Sequence, residues 1–371
     1  MEKNPSPAET ISEVSKPSYE QGPDMPSTKR RPNDVFERFK DFFKDRPTDK
    51  KVCIVLQHTP DPDAIGSALG LEWILEAEYG LQCDIFYSGQ ISHPQNQTEV
   101  NVLDVRLKHK DDFEAENYST FVTVDSVPQN TGFDEIEEWH CVFDHHQFDM
   151  DLPVTDIRTC GSCSAIIWDY ICHFDLDFET ERGILVATAL LFGVVNDTHN
   201  LLDENVSKLD LDAHSHLIAY IDRKKFHSIV HHPLPPYLFE LRALAASNMV
   251  NEASILISYL GILSSKRRDA LPIIADEFLR MEGVETVVVF CLIDGFIHAS
   301  VRSRNSSVNV HNFCQKVFGP ESSGGKSGSG GAKVPLGFLY SPEDDGEDQQ
   351  KLSEFAKATI TKRIIRHLSG A

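Results

Sequence analysis

No apolar run in this chain approaches the roughly 20 residues that a membrane-spanning helix needs. The polar N-terminal stretch also lacks the apolar core of a secretory signal. A cytoplasmic location with no membrane partner is the resulting expectation. Positive charge is scarce as well: 35 Lys and Arg stand against 57 Asp and Glu, a formal net charge of −22. That balance argues against broad electrostatic binding to long duplex DNA. No basic stripe or aromatic stacking platform is present to track a long single strand. A small anionic substrate in a local, metal-lined cleft is compatible with the same charge, because clustered carboxylates are what a divalent ion needs.

A disulfide framework is missing too. The eight cysteines are scattered through strand-like and helix-like stretches, such as Cys53 in KVCIVL and Cys291 in VVVFCLI, which suits buried thiols in a reducing compartment. Cys160 and Cys163 form one C-x-x-C, but no second pair or histidine pair follows at zinc-finger spacing. A loop entering a helix is the better reading there.

The 371 residues are enough for two domains plus tails, and 41% hydrophobic with 25% charged content is ordinary for globular chains. Residues 1–48, rich in Pro, Ser, Glu and Lys, read as a disordered tail with a short helix at DVFERFKDFFKD. The folded part opens with the strand-like KVCIVL, the loop QHTPDPD and the helix-like AIGSALGLEWILEAEY, which stops at Gly80 before a second strand, CDIFY. This is a βαβ unit, so a parallel sheet is expected. The grammar recurs: FVTV runs into Asp125, CVF into Asp144, His145 and His146, and the apolar helix GILVATALLFGVVNDT delivers Asp197. Ligands of open parallel sheets bind outside the carboxyl ends of the strands.

Asp61 and Asp63 straddle one residue at a strand-to-helix turn, so their carboxylates can reach two neighbouring ions. Asp125, Asp144-His145-His146 and Asp197 arrive from other elements. Mixed carboxylate and imidazole donors suit manganese better than a thiolate zinc site. Two ions roughly 3.5–4 Å apart clamp a phosphate and activate water at neutral pH. Singly, Asp61 reads as a helix cap and Asp125 or Asp144 as turn residues. Four such coincidences at sheet ends are much less credible than one site.

LQHTPDPDAIGSALGL, TVDSVP, VFDHHQFD and GVVNDTHNL resemble, in order, the motifs of the DHH phosphoesterase family, and most of all its RecJ-like, nanoRNase/pAp-phosphatase branch. SHPQN, from Ser92 to Asn96, and GGKSGSGGAKVPLGF resemble the linker and the DHH-associated domain of that branch. The resemblance covers about residues 50–340 and implies an α/β fold: a parallel-sheet DHH domain followed by a smaller α/β substrate-binding domain. The boundaries expected are a catalytic domain at 49–235, a linker helix region at 236–258 and the DHH-associated domain at 259–340. An acidic segment and C-terminal helix follow at 341–371.

Carried over by residue, the resemblance implies that Asp61 and Asp125 bind one metal. Asp63, the bridging Asp125, His145 and Asp197 would bind the second. His146 would face the scissile phosphate, with Asp144 orienting its histidine neighbour. Two positions depart from the family. Its first ligand histidine falls on Gln57 here, with His58 one residue later: either His58 still ligates, or Gln57 takes the place and holds the first metal more weakly, since strand alternation keeps both from filling the role in the same way. His58 is slightly favoured. The histidine after the paired glycines is replaced by Lys326, in Gly324-Gly325-Lys326. Arg302 and Arg304 resemble the family's substrate-binding arginines, and His93 is placed within reach of substrate. The implied enzyme is a two-metal phosphoesterase using Mn²⁺, with Mg²⁺ or Co²⁺ as substitutes. It would act on short oligonucleotides, dinucleotides or nucleotide phosphates, and a homodimer is left open. An inorganic pyrophosphatase and a non-catalytic nucleotide sensor are the competing readings.

Overall fold

The computed structural model describes residues 34–368, apart from 147, 253, 326, 327 and 344. The chain divides into two units, residues 34–89 with 103–227 and residues 90–102 with 228–368. The first opens with α1 (Asp34–Lys44), β1 (Lys51–Val55), α2 (Pro62–Tyr79) and β2 (Cys83–Tyr87). The next helix, α3 (Pro94–Val102), belongs to the second unit. The chain then returns through β3 (Leu107–His109), β4 (Tyr118–Val124), α4 (Pro128–Thr131), β5 (Cys141–Asp144) and β6 (Val154–Ile157). Helices α5 (Cys163–His173), α6 (Glu181–Asp197), α7 (Lys208–Leu217) and α8 (Arg223–Val230) follow.

The strands of this unit lie in the order β3-β2-β1-β4-β5-β6, all parallel. Val52 to Val55 and Cys141 to Asp144 are buried without a break, as expected of central strands covered on both faces. Strand order reverses between β1 and β4. The loops that leave their carboxyl ends therefore diverge and open a crevice, the ordinary ligand position of such sheets.

The expected tail is shorter than 1–48, because α1 is packed. Phe39 and Phe43 are buried, and the Phe39 ring lies 5.1 Å from Tyr170 and 5.9 Å from Phe143. The aromatic spacing that marks this segment as a helix is thus a core face. Residues 1–33 lie outside the described residues.

The second unit continues with α9 (Pro236–Ser247), β7 (Val250–Glu252), β8 (Ile255–Ile262), α10 (Ala270–Phe278), β9 (Thr286–Ile293) and β10 (Phe296–Ser303). It closes with α11 (Val310–Phe318), β11 (Ser323–Gly325), β12 (Ser329–Pro335) and α12 (Gly346–Leu368). Its sheet is mixed, in the order β11-β12-β10-β9-β8-β7, with only β8 and β9 parallel. Alternation along β9 feeds two cores. Val288, Phe290 and Leu292 pack with α11 and α12, while Val287, Val289 and Cys291 pack with α9 and α10. Two boundaries therefore move. Leu238, Leu241 and Ala245 of α9 belong to this core rather than to a linker, and Ala356, Ile360 and Ile364 bring the C-terminal helix into it. Among the described residues no helix is long and apolar enough to cross a membrane.

Phe39→Ala is expected to lower the urea unfolding free energy by about 3–5 kcal/mol, as for other buried aromatics. A loss within about 0.5 kcal/mol would return α1 to the tail.

Candidate metal centre

Past the end of β1, Gln57 reaches the crevice: its Nε2 donates to Asp61 Oδ2 at 2.8 Å. His58 turns the other way, with its Nδ1 2.9 Å from Ser88 Oγ and its ring against Gly89. The ring of His58, expected among the ligands, thus lies beside Ser88, and Gln57 is the neighbour bonded to Asp61. Asp61 is the N-cap of α2, with Oδ1 accepting from the Ala64 N–H at 3.0 Å. Asp63 is fully buried, and its two oxygens accept the N–H groups of Cys163 at 2.6 Å and Ser164 at 2.8 Å. Those amides are the first of α5, so a helix N-terminus holds this carboxylate.

Asp125 follows β4 with φ at 52°, a left-handed conformation that Asp adopts more readily than most residues. Its N–H donates to the Phe143 carbonyl at 2.8 Å. At the end of β5, Asp144 Oδ1 accepts the His145 N–H at 2.6 Å, the His146 N–H at 2.9 Å and His146 Nδ1 at 2.8 Å. His145 Nδ1 lies 3.2 Å from the Cys160 carbonyl, which can only accept, so the ring proton sits there. The other nitrogen, Nε2, lies 3.2 Å from Asp197 Oδ2, 3.3 Å from Asp125 Oδ1 and 3.9 Å from Asp63 Oδ2. Asp197 is the last residue of α6. One turn earlier on that helix, a Cβ on Gly193 would strike Ser164 Oγ and stand 3.0 Å from Asp63 Oδ1. Glycine is what lets α6 come this close.

Burial dominates the electrostatics. It raises the pKa of Asp61, with the Asp197 charge adding to it. Burial followed by Asp197 raises Asp63 to about 7, and burial with Asp61 and Asp63 raises Asp125 well above the carboxylate range. Burial disfavours charge on His145, yet Asp125 and Asp197 hold its pKa up to about 12. Asp125 Oδ1 and His145 Nε2 are buried, face one another and have no hydrogen-bond partner. A divalent cation fits this donor set: it satisfies both orphaned atoms and removes the repulsion that burial amplifies. Two groups of side chains bring their donor atoms close enough for one ion, Asp63 with His145 and Asp197, and Asp125 with Asp144, His145 and His146.

The remaining sequence candidates lie in the second unit. Arg302 lines a cavity of about 510 Å³ with Arg268, His298, Ser300, Gly324 and Lys333, and its Nε donates to Asp276 at 2.6 Å. Arg304, the other arginine expected to bind substrate, donates from its guanidinium to the carbonyls of Leu279, Met281 and Val284 beyond α10. His93 Nδ1 accepts the Gln95 N–H at 3.3 Å and so caps α3, while burial lowers its pKa. Gly325 sits in β11 beside Gly324, and Lys326 lies outside the described residues. Both thiols of the C-x-x-C are free and buried, and each bonds a backbone carbonyl. Three further cavity residues, Arg268, Lys333 and His298, carried no motif that would have marked them.

No family model matches the chain. It is 32% identical over 319 residues to the uncharacterized protein MJ1633 of Methanocaldococcus jannaschii, covering 85% of this chain. The chain spans 64% of that relative's length. Its fold is similar to that of an exopolyphosphatase-related protein from Bacteroides fragilis. There the TM-score is 0.67 at 16% identity, covering 90% of this chain and 99% of the other. A Methanococcus jannaschii family II inorganic pyrophosphatase, described as putative by its own structure's name, is more distant. Its TM-score is 0.43 at 15% identity, over 82% and 99% of the two chains, a likeness that carries no reading of function.

Asp63 holds a proton up to about pH 7 in the folded chain but only to about pH 3.9 unfolded. Between those values the folded state binds more protons, so stability falls as pH rises. In EDTA, urea unfolding is expected to show that fall, Mn²⁺ to abolish it and Asp63→Asn to reduce it, with the raised Asp61 and Asp125 supplying the remainder. A flat profile for the unmutated chain in EDTA would contradict the burial argument.

Proposed function

We propose that this chain is a DHH-family phosphoesterase, dependent on divalent metal and acting on short oligonucleotides, dinucleotides or nucleotide phosphates. The observation that carries the reading is the meeting of two buried, unbonded atoms, Asp125 Oδ1 and His145 Nε2, among the carboxylates of Asp63 and Asp197 at the sheet's reversal point. In this reading Asp61 and Asp125 hold one ion, and Asp63, Asp125, His145 and Asp197 the other. Mn²⁺ suits the oxygen and nitrogen donors, with Mg²⁺ or Co²⁺ as substitutes. When bound, the ions lower the pKa of water and neutralise charge on the phosphoryl oxygens.

The chain's own groups do the rest. The Cys160 carbonyl keeps the His145 proton on Nδ1, so that Nε2 presents a lone pair. Asp144 grips His146 through Nδ1, and in this reading Nε2 of this half-exposed ring meets the substrate. From there it donates to a phosphoryl oxygen or protonates the leaving oxygen. The carboxylates bring negative charge that a phosphate meets only once it is neutralised, which is why cation and substrate binding are coupled. In the second unit, Arg268, Arg302 and Lys333 line a cavity whose charge suits a phosphate-bearing ligand.

The test is release of phosphate or nucleoside monophosphate from dinucleotides, 3′-phosphoadenosine 5′-phosphate and pyrophosphate, with Mn²⁺ or EDTA. Turnover is expected with Mn²⁺ alone and is expected to vanish in Asp125→Ala. Turnover of pyrophosphate in preference to every nucleotide would favour the pyrophosphatase reading. Nucleotide binding without any turnover would favour a sensor. His146→Gln is expected to lower kcat by roughly 10²–10⁴-fold while bound manganese, read by atomic absorption, stays unchanged.

A further inference from the structure

Asp210 is fully buried in the first turn of α7, and locally it completes a capping box. Its Oδ2 accepts the Ser207 N–H at 2.8 Å and the Ser207 hydroxyl at 2.7 Å. Capping needs no more than that. Yet Oδ2 also accepts the Gly161 N–H at 2.8 Å, and Oδ1 accepts the Ser162 hydroxyl at 3.0 Å. The carboxylate thus ties α7 to a loop some fifty residues away, and four donors converge on its two oxygens.

That loop carries backbone groups on which the metal centre leans. The Cys160 carbonyl faces His145 Nδ1 at 3.2 Å, and the N–H groups of Cys163 and Ser164 hold both oxygens of Asp63. Gly161 is wedged between the two sides: a Cβ there would stand 2.6 Å from Thr198 Cγ2 and 3.3 Å from the Asp210 carboxyl. Thr198 directly follows Asp197. Loop 160–164 therefore touches the supports of His145, Asp63 and Asp197, and Asp210 is its buried anchor.

We infer that Asp210 is a positioning residue for the metal centre. Through loop 160–164 it fixes the orientations of the His145 ring and the Asp63 carboxylate, and so sets the affinity for a divalent cation. This rests on the metal reading above.

The test compares the full chain with Asp210→Asn and Ser207→Ala. The first places an amide donor among groups that donate; the second removes bonds on the α7 side alone. Calorimetry reads Mn²⁺ affinity, and thermal unfolding in EDTA reads stability. Asp210→Asn is expected to weaken Mn²⁺ by roughly 10–100-fold. Ser207→Ala is expected to lower Tm without changing Mn²⁺ affinity. Unchanged affinity in Asp210→Asn would overturn the inference, as would equal loss of affinity in both variants in step with Tm. If Asp210→Asn fails to fold by circular dichroism, Ser162→Gly replaces it: the Oδ1 bond is lost together with the side-chain cap on Ala165, and glycine is nearly as good an N-cap. The same loss of Mn²⁺ affinity is then expected, and its absence overturns the inference. An unmutated chain that binds no Mn²⁺ overturns the metal reading itself, and the inference with it.

Discussion

The first unit is organised around a repulsion. Asp61, Asp63 and Asp125 are brought together in a dry crevice with Asp197 at its edge, and burial pushes the first three toward their protonated forms. Such a cluster persists only if each member is held from behind by something stronger than its neighbour's field. Here the main chain does the holding. The Ala64 amide grips Asp61, the start of α5 grips Asp63, and the Asp125 amide is tied to the next strand through the Phe143 carbonyl. Backbone donors at strand ends and helix starts are rigid and carry only partial charge. They fix the carboxylates without neutralising them, which a lysine or arginine in the same place would do.

Much of this was legible in the sequence, because parallel-sheet grammar places strand ends in one crevice. Asp61, Asp63, Asp125 and Asp144 could be assigned to such ends from apolar runs alone, and Asp197 to the end of an apolar helix. What was not legible depends on direction or on distance. Gln57 and His58 are adjacent, and only the twist of the departing strand decides that the glutamine faces Asp61. Arg304 shares a strand face with Arg302 by alternation, yet it lies just past the end of β10, within reach of the carbonyls beyond α10. Asp210 has a local signature, Ser207 three residues before it, and that signature hides its bonds to Gly161 and Ser162. The helix at Asp34–Lys44 was readable from its spacing, but two of the rings it packs against, Phe143 and Tyr170, come from a strand and a helix more than a hundred residues on.

The two histidines after Asp144 show how one carboxylate can divide labour between neighbours. Asp144 takes both of their amides, which forces the backbone to turn, but takes a ring nitrogen only from His146. His145 is left to find its own partner in Cys160 and ends with the opposite nitrogen facing the carboxylates. Adjacent identical residues thus acquire different chemistry from a one-sided contact.

The assignment of residues 90–102 to the second unit has a consequence for how the chain is made. Those residues are synthesised inside the first unit, but Ser92 bonds Asp269 and so waits for a partner 177 residues later. During translation the Ser92 contact must remain unmade until β7 and β8 of the second sheet, and the residues up to Asp269, have left the ribosome. The two units are therefore not beads that can be cut apart, swapped or expressed singly: a break at their later boundary leaves α3 behind on the wrong piece. Any lineage that recombined these halves would have had to carry that insertion along, which makes the pair a single heritable module despite its two cores.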